Sequence, residues 1–129
     1  MPPFLNNRVV PDQASLWSPA MALLEVDTEQ GDSRASLALR GELDISSAPV
    51  LEEALSRLEA GGPPLLVIDL RGLEFMDSTG LRTLVSADQR ARDAGRRLAI
   101  VRGPEAVDRI FNVTRLDERL ELVDDPAVA

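Results

Sequence analysis

The sequence predicts an α/β domain: a mixed β-sheet of four to five strands with helices packed mainly on one face. Three observations carry this. Strand-like and helix-like segments alternate in the order β, β, α, β, α, β, α, β. The run LLVIDL (65–70) is continuously apolar, the pattern of a strand covered on both faces or nearly so. The strand–helix–strand spacing from 65 to 102 suits parallel strands joined by a right-handed crossover.

Residues 1–20 hold four of the nine prolines and show no periodicity, so they read as a loosely ordered arm in which Phe4, Leu5 and Trp17 are available to dock. MALLEVD (21–27) and RASLALR (34–40) flank the turn-rich TEQGDS. In the second run Ala35, Leu37 and Leu39 alternate with Arg34, Ser36, Ala38 and Arg40, the period of a half-buried strand. The pair predicts an antiparallel hairpin. GELDISSAP (41–49) leads into a helix that Ser46 or Ser47 can cap. Pro49 suits its first turn, and Glu52 and Glu53 suit its positive end. Ala48, Leu51, Leu55 and Leu58 make one apolar face, and Gly61-Gly62-Pro63-Pro64 stops the helix.

Beyond the 65–70 strand, residues 78–94 read as a helix with Leu81, Leu84, Val85, Ala87 and Ala91 inward and Gly95 closing it. RRLAIV (97–102) is the next strand. Pro104 opens a short helix with Val107, Ile110 and Phe111 inward, LELV (120–123) adds an edge strand, and DDPAVA ends the chain. The domain is bounded at 21–125, with 126–129 as a tail.

Composition narrows the chemistry. The 129 residues carry 22 acidic and 14 basic side chains, a net charge of −8, and contain no His, Cys or Tyr; every basic residue is Arg. A thiol nucleophile, a Ser–His relay, a P-loop lysine, a Schiff base and the usual zinc sites are therefore excluded. No catalytic residue, metal site or cofactor is expected. The acidity argues against direct nucleic-acid binding, which needs clustered basic residues. No apolar run reaches the ~20 residues of a membrane span, and the N-terminus lacks a signal-peptide core. A soluble, cytoplasmic protein is expected.

The segment DLRGLEFMDSTGL (69–81) joins the apolar strand to the following helix. Asp77 and Ser78 fall at the helix start, where N–H groups lack partners and the macrodipole is positive. Such residues commonly cap and do nothing else. A hydroxyl here is also exposed, and a phosphate on it would add about −1.5 to −2 charges at an anion-favouring helix end. Gly80 costs ~1 kcal/mol relative to Ala inside a helix, and its bare surface could admit a partner's backbone. Phe75 and Met76 read as core, with exposure of Met76 at a partner surface as the second reading. Asp69 could end its strand and accept a loop N–H.

FMDSTGL after LLVIDL resembles the signature of STAS-domain anti-sigma-factor antagonists. GELDISSAP is similar to that family's stretch between second strand and first helix, and AVDRIFNVTRLDERLEL to its C-terminal helix and last strand. The resemblance implies a bacterial regulator of transcription that works by partner switching. When unphosphorylated it binds an anti-sigma factor, a Ser/Thr kinase of the GHKL type, and so frees a sigma factor. Phosphorylation breaks this grip and a PP2C-type phosphatase restores it. The acceptor maps to Ser78. Asp44 and Asp77 map to the partner-facing site, joined by Thr79, Gly80 and Met76; Thr79 stands where many relatives have a second Ser. A monomer or weak dimer is expected.

Two other classes remain open at this stage. One is a non-switching STAS scaffold or accessory module that binds a protein partner, a nucleotide or a lipid-transport component. The other is an enzyme using Asp44 and Asp77 as paired carboxylates, which the small chain and lack of an evident cleft disfavour.

Overall fold

A computed structural model describes residues 24–129. Residues 1–23, including Phe4, Leu5 and Trp17, lie outside the described residues. β1 (Leu24–Gln30) and β2 (Ala35–Leu43) form the expected antiparallel hairpin, with Leu24 opposite Gly41 and Gln30 opposite Ala35. The turn closes where the Gly31 N–H donates to the Arg34 carbonyl at 2.9 Å. β1 runs further than its apolar residues suggest, through Thr28-Glu29-Gln30, because pairing is a backbone property and one side of this hairpin is polar.

The chain continues as α1 (Ala48–Ala60), β3 (Leu65–Met76), α2 (Ser78–Asp93), β4 (Arg97–Val101), α3 (Glu105–Val113) and β5 (Glu121–Val123), ending in a short turn at Pro126–Val128. Strand order follows chain order, and β2 to β5 are parallel. A chain that steps one way across a sheet through right-handed crossovers lays every connecting helix on the same face. Leu51 of α1, Leu84 of α2 and Phe111 of α3 accordingly join one core cluster with Leu37, Ile68 and Ile100. The five-stranded mixed sheet with helices on one face is the architecture the alternating segments predict.

One difference matters for the site. β3 has twelve residues, twice its apolar run. RGLEFM stays paired with β2 as far as Leu43 opposite Met76, across register shifts between Ala38 and Arg40 and between Gly41 and Glu42. Gly41 takes φ 106° at this irregularity, a conformation that side chains with a Cβ resist. The extension brings the ends of β2 and β3 side by side. It also corrects the reading of Phe75 as core: Phe75 is 48% exposed. Asp69 lies within the strand, and its carboxylate accepts from the Arg71 N–H at 3.0 Å and from the Arg71 guanidinium at 2.8 Å.

The far end of α2 is tied down by charge. Asp88 is buried and pairs with Arg92 at 2.8 Å and Arg119 at 3.9 Å, while Arg92 donates to the Arg119 carbonyl at 2.6 Å. Both arginines are half-exposed, which discounts the pairing through solvent screening. Asp88→Asn should lower the unfolding free energy by about 1–2 kcal/mol, read from the urea midpoint. An unchanged midpoint would show that the cluster carries no stability.

Candidate functional site at the start of α2

The site begins with the capping of α2. Asp77 has extended backbone, and its Oδ1 accepts from the Gly80 N–H at 3.0 Å, so the expected N-cap is formed. The Asp77 N–H donates to the Leu43 carbonyl at 3.1 Å, which fastens the helix start to the end of β2. Ser78 is the first residue of α2 and is exposed. Its hydroxyl has no hydrogen-bond partner among the described residues. Thr79 follows, half-buried.

Gly80 does something other than the sequence suggests. It is buried, and a Cβ placed on it would lie 2.6 Å from Leu43 Cγ and 3.0 Å from the Leu43 carbonyl oxygen. Its bare surface therefore admits β2 of its own chain, not the backbone of a partner. Met76 is also corrected. At 2% exposure it belongs to the core cluster, because the β3 extension points it at the helix side. Neither residue offers a surface to a partner.

The GELD segment arrives at the same place through Leu43. Asp44 follows Leu43, and its Oδ1 accepts from the Ser46 hydroxyl at 2.7 Å, the Ser46 N–H at 3.0 Å and the Ser47 N–H at 3.1 Å. The Ser46 hydroxyl, aided by the two N–H groups, outweighs partial burial and holds the carboxyl below its ordinary value. Ser47 is the residue before α1, yet its hydroxyl does not cap that helix. It donates to the Glu42 carbonyl at 2.9 Å and accepts from the Asp44 N–H at 2.9 Å. Glu52 and Glu53 fall beyond the first turn of α1, so they do not sit at its positive end. Asp44 thus shapes the β2–α1 turn from within. Asp44→Ala should cost about 1 kcal/mol of stability, the usual loss for a removed cap-type acceptor, measurable by thermal unfolding. No loss would show that these hydrogen bonds are replaced by water without penalty.

Between the starts of α1 and α2 lies a groove of about 450 Å³ lined by Ile45, Pro49, Glu52, Thr79, Arg82 and Thr83, among others. Ile45 is 72% exposed. A single exposed aliphatic side chain is ordinary on a protein surface; Ile45 is of interest only for its place in the groove that also borders Thr79. Sequence reading missed Ile45. Its signal was an apolar residue inside the polar turn DISS, where no periodicity calls for one.

A family model described as "Mlab, STAS domain" matches residues 26–124. The chain belongs to the STAS domain family. This STAS domain is 31% identical over 99 residues to the anti-sigma-B factor antagonist of Bacillus subtilis, covering 77% of this chain and 90% of the relative. It superposes on the crystal structure of an anti-sigma factor antagonist from Mycobacterium paratuberculosis with a TM-score of 0.73 at 28% identity, covering 81% of this chain and 88% of the other. The unphosphorylated form of the anti-sigma factor antagonist SpoIIAA shares the fold, with a TM-score of 0.68 at 16% identity over 80% of this chain and 91% of the other. No helix among the described residues of the STAS domain is long and apolar enough to cross a membrane.

Acid should weaken this STAS domain in a defined window. Burial raises Asp69, but the Arg71 hydrogen bonds together overcome it and leave the carboxyl lowered; Arg97 lowers Glu121, and Asp44 is lowered as above. Groups lowered on folding stabilise fully above their unfolded values, about 3.9 for Asp and 4.3 for Glu. That stability is lost as pH falls through the folded values. The urea midpoint should hold between about pH 7 and 5 and fall below about pH 4. Equal midpoints at pH 6 and pH 3 would contradict this.

Proposed function

We propose that this STAS domain is an anti-sigma-factor antagonist switched by phosphorylation of Ser78. Unmodified, it binds an anti-sigma factor that is itself a Ser/Thr kinase of the GHKL type, and so releases a sigma factor in the cytoplasm. Phosphorylated, it lets go, and a PP2C-type phosphatase resets it. One observation carries the reading: Ser78 is the exposed first residue of α2, directly after the Asp77 cap, and its hydroxyl bonds to no other described residue. The similarity to antagonists of Bacillus and Mycobacterium supports it. The contact surface consists of Asp77, Ser78 and Thr79, the turn shaped by Asp44, and the Ile45 groove beside them.

The chain performs no catalysis of its own in this scheme. Asp44, held below the ordinary carboxylate range, is unsuited to act as a general acid near neutrality, and the pair with Asp77 finds no support as a catalytic dyad. The partner contributes the phosphoryl chemistry; this chain contributes the acceptor.

A second reading is a non-switching STAS scaffold or accessory module that binds a protein partner, a nucleotide or a lipid-transport component; membership of the STAS domain family by itself fits it equally. The two separate in one experiment. The protein is incubated with ATP and the anti-sigma kinases of its host, and the modified residue is located by mass spectrometry. The switch predicts one phosphate on Ser78 and none on the Ser78→Ala variant. Absence of modification by every such kinase, or equal modification of Ser78→Ala, would favour the accessory module.

A further inference from the structure

Arg97 opens β4 opposite Leu65, the first residue of β3, whereas Ser78 comes shortly after Met76, the last. The start of β4 therefore lies at the other end of the sheet from Ser78. The last turns of α2 and the start of β5 reach the same place, and together they line a pocket of about 250 Å³. Its charged lining is Asp88 and Arg92 of α2, Arg96 and Arg97, Arg119, and Glu121 of β5. Four guanidiniums here face two carboxylates, a surplus of two positive charges in a chain whose net charge is −8.

Three of these arginines are anchored while part of each guanidinium stays unused. Arg92 donates from Nε to Asp88 at 2.8 Å and from Nη2 to the Arg119 carbonyl at 2.6 Å. Arg97 binds Glu121 through Nε and Nη2. Arg119 donates from Nη2 to the Gln89 side-chain oxygen, and its Nε lies 3.9 Å from Asp88. In each of the three, Nη1 bonds to no described residue. Arg96 is half-buried, and its guanidinium bonds to no described residue through any nitrogen. Anchored side chains are ordered before a ligand arrives, which removes part of the entropic cost of binding.

We infer that this pocket binds the phosphate group of a small anion. Guanidinium forks match phosphate oxygens in pairs and keep their charge across the physiological range. A surplus of two charges suits a phosphate, which carries about −1.5 to −2 near neutrality, better than a single carboxylate. The volume falls below the ~300–1,000 Å³ of clefts that enclose drug-sized ligands, so the pocket takes the phosphate itself and leaves any ester group in solvent. The C-terminal end of a helix disfavours anions, but the carbonyls nearest the pocket are occupied. Ala91 accepts from the Arg96 N–H at 2.7 Å and Arg92 from the Gly95 N–H at 3.1 Å. The inference is independent of the Ser78 switch. Asp88 and Arg92 lie ten and fourteen positions beyond Ser78 on α2, about 15 and 21 Å away at helical rise.

The test is a titration of the full chain with inorganic phosphate at constant ionic strength, followed by backbone amide NMR. The expected result is saturable movement of the Arg96, Arg97 and Leu120 signals, with Thr79 and Gly80 unmoved, and the same affinity in the Ser78→Ala variant. Arg96→Ala should weaken binding about tenfold, the loss of one charge-assisted contact, and Arg96→Glu should abolish it. Neither variant removes a side-chain bond from the fold. Glycerol phosphate in place of inorganic phosphate separates the sources: tighter binding assigns the pocket to an ester, equal or weaker binding to the free anion. Three results would overturn the proposal: signals that move linearly without saturating, movement reproduced by sodium chloride alone, or unchanged affinity in either folded Arg96 variant.

Discussion

Ser78→Asp is expected to weaken binding to the anti-sigma factor by more than a hundredfold, while Ser78→Ala binds as the unaltered protein does. The asymmetry follows from what Ser78 touches. Its hydroxyl bonds to no other described residue, so removing it leaves the Asp77 cap, the Leu43 tie and α2 intact. A carboxylate at the same position lies next to Asp77 and must lose its water when the partner closes over it. Burying an unpaired charge in an interface costs several kcal/mol. A loss of only about 3 kcal/mol already exceeds a hundredfold. The positive end of α2 offsets part of this, by about 1 kcal/mol at most at an exposed site. Equal affinities for the Asp, Ala and unaltered proteins, measured by titration calorimetry, would remove the charge argument.

Gly80→Val should lower stability by about 2 kcal/mol, with a fall of about 10 °C in Tm. The two added methyl groups branch from a Cβ that already meets Leu43 Cγ at 2.6 Å and the Leu43 carbonyl at 3.0 Å. The side chain can shift; the carbonyl is fixed by the bond from the Asp77 N–H. Helix propensity favours Val over Gly by only a few tenths of a kcal/mol, too little to compensate. Combining Gly80→Val with Leu43→Ala should cost less than the sum of the two, since residues in contact do not add. Strict additivity would mean that α2 and β2 are not coupled here. A tolerated Gly80→Val that selectively lost partner binding would restore Gly80 to the partner-facing surface.

Much of this was legible in the sequence, for identifiable reasons. Alternation in RASLALR and the unbroken LLVIDL announced strands, and the three-and-four spacing of Leu51, Leu55 and Leu58 announced α1. Asp77 as cap and Ser78 as the exposed first residue of α2 followed from helix-end chemistry alone. What escaped was set by contacts distant in sequence. RGLEFM carries no regular alternation, so only pairing with β2 shows that β3 continues to Met76. That extension buried Met76 and exposed Phe75, reversing the partner-facing reading of the one and the core reading of the other. Gly80 looked like a surface feature because its neighbour, Leu43, lies 37 positions earlier in the chain. The capping of α1 was misplaced for a local reason: the Ser47 hydroxyl is already engaged by the Glu42 carbonyl and the Asp44 N–H, and Pro49 has no N–H for a cap to accept.

In the proposed switch, one phosphate on Ser78 decides whether this STAS domain holds an anti-sigma factor. The most direct measurement compares one preparation before and after enzymatic phosphorylation, with mass spectrometry confirming a single phosphate on Ser78. Titration of both forms against the same anti-sigma factor should show tight binding before modification and at least a hundredfold weaker binding after it, regained on phosphatase treatment. Identical affinity for the two forms would contradict the account.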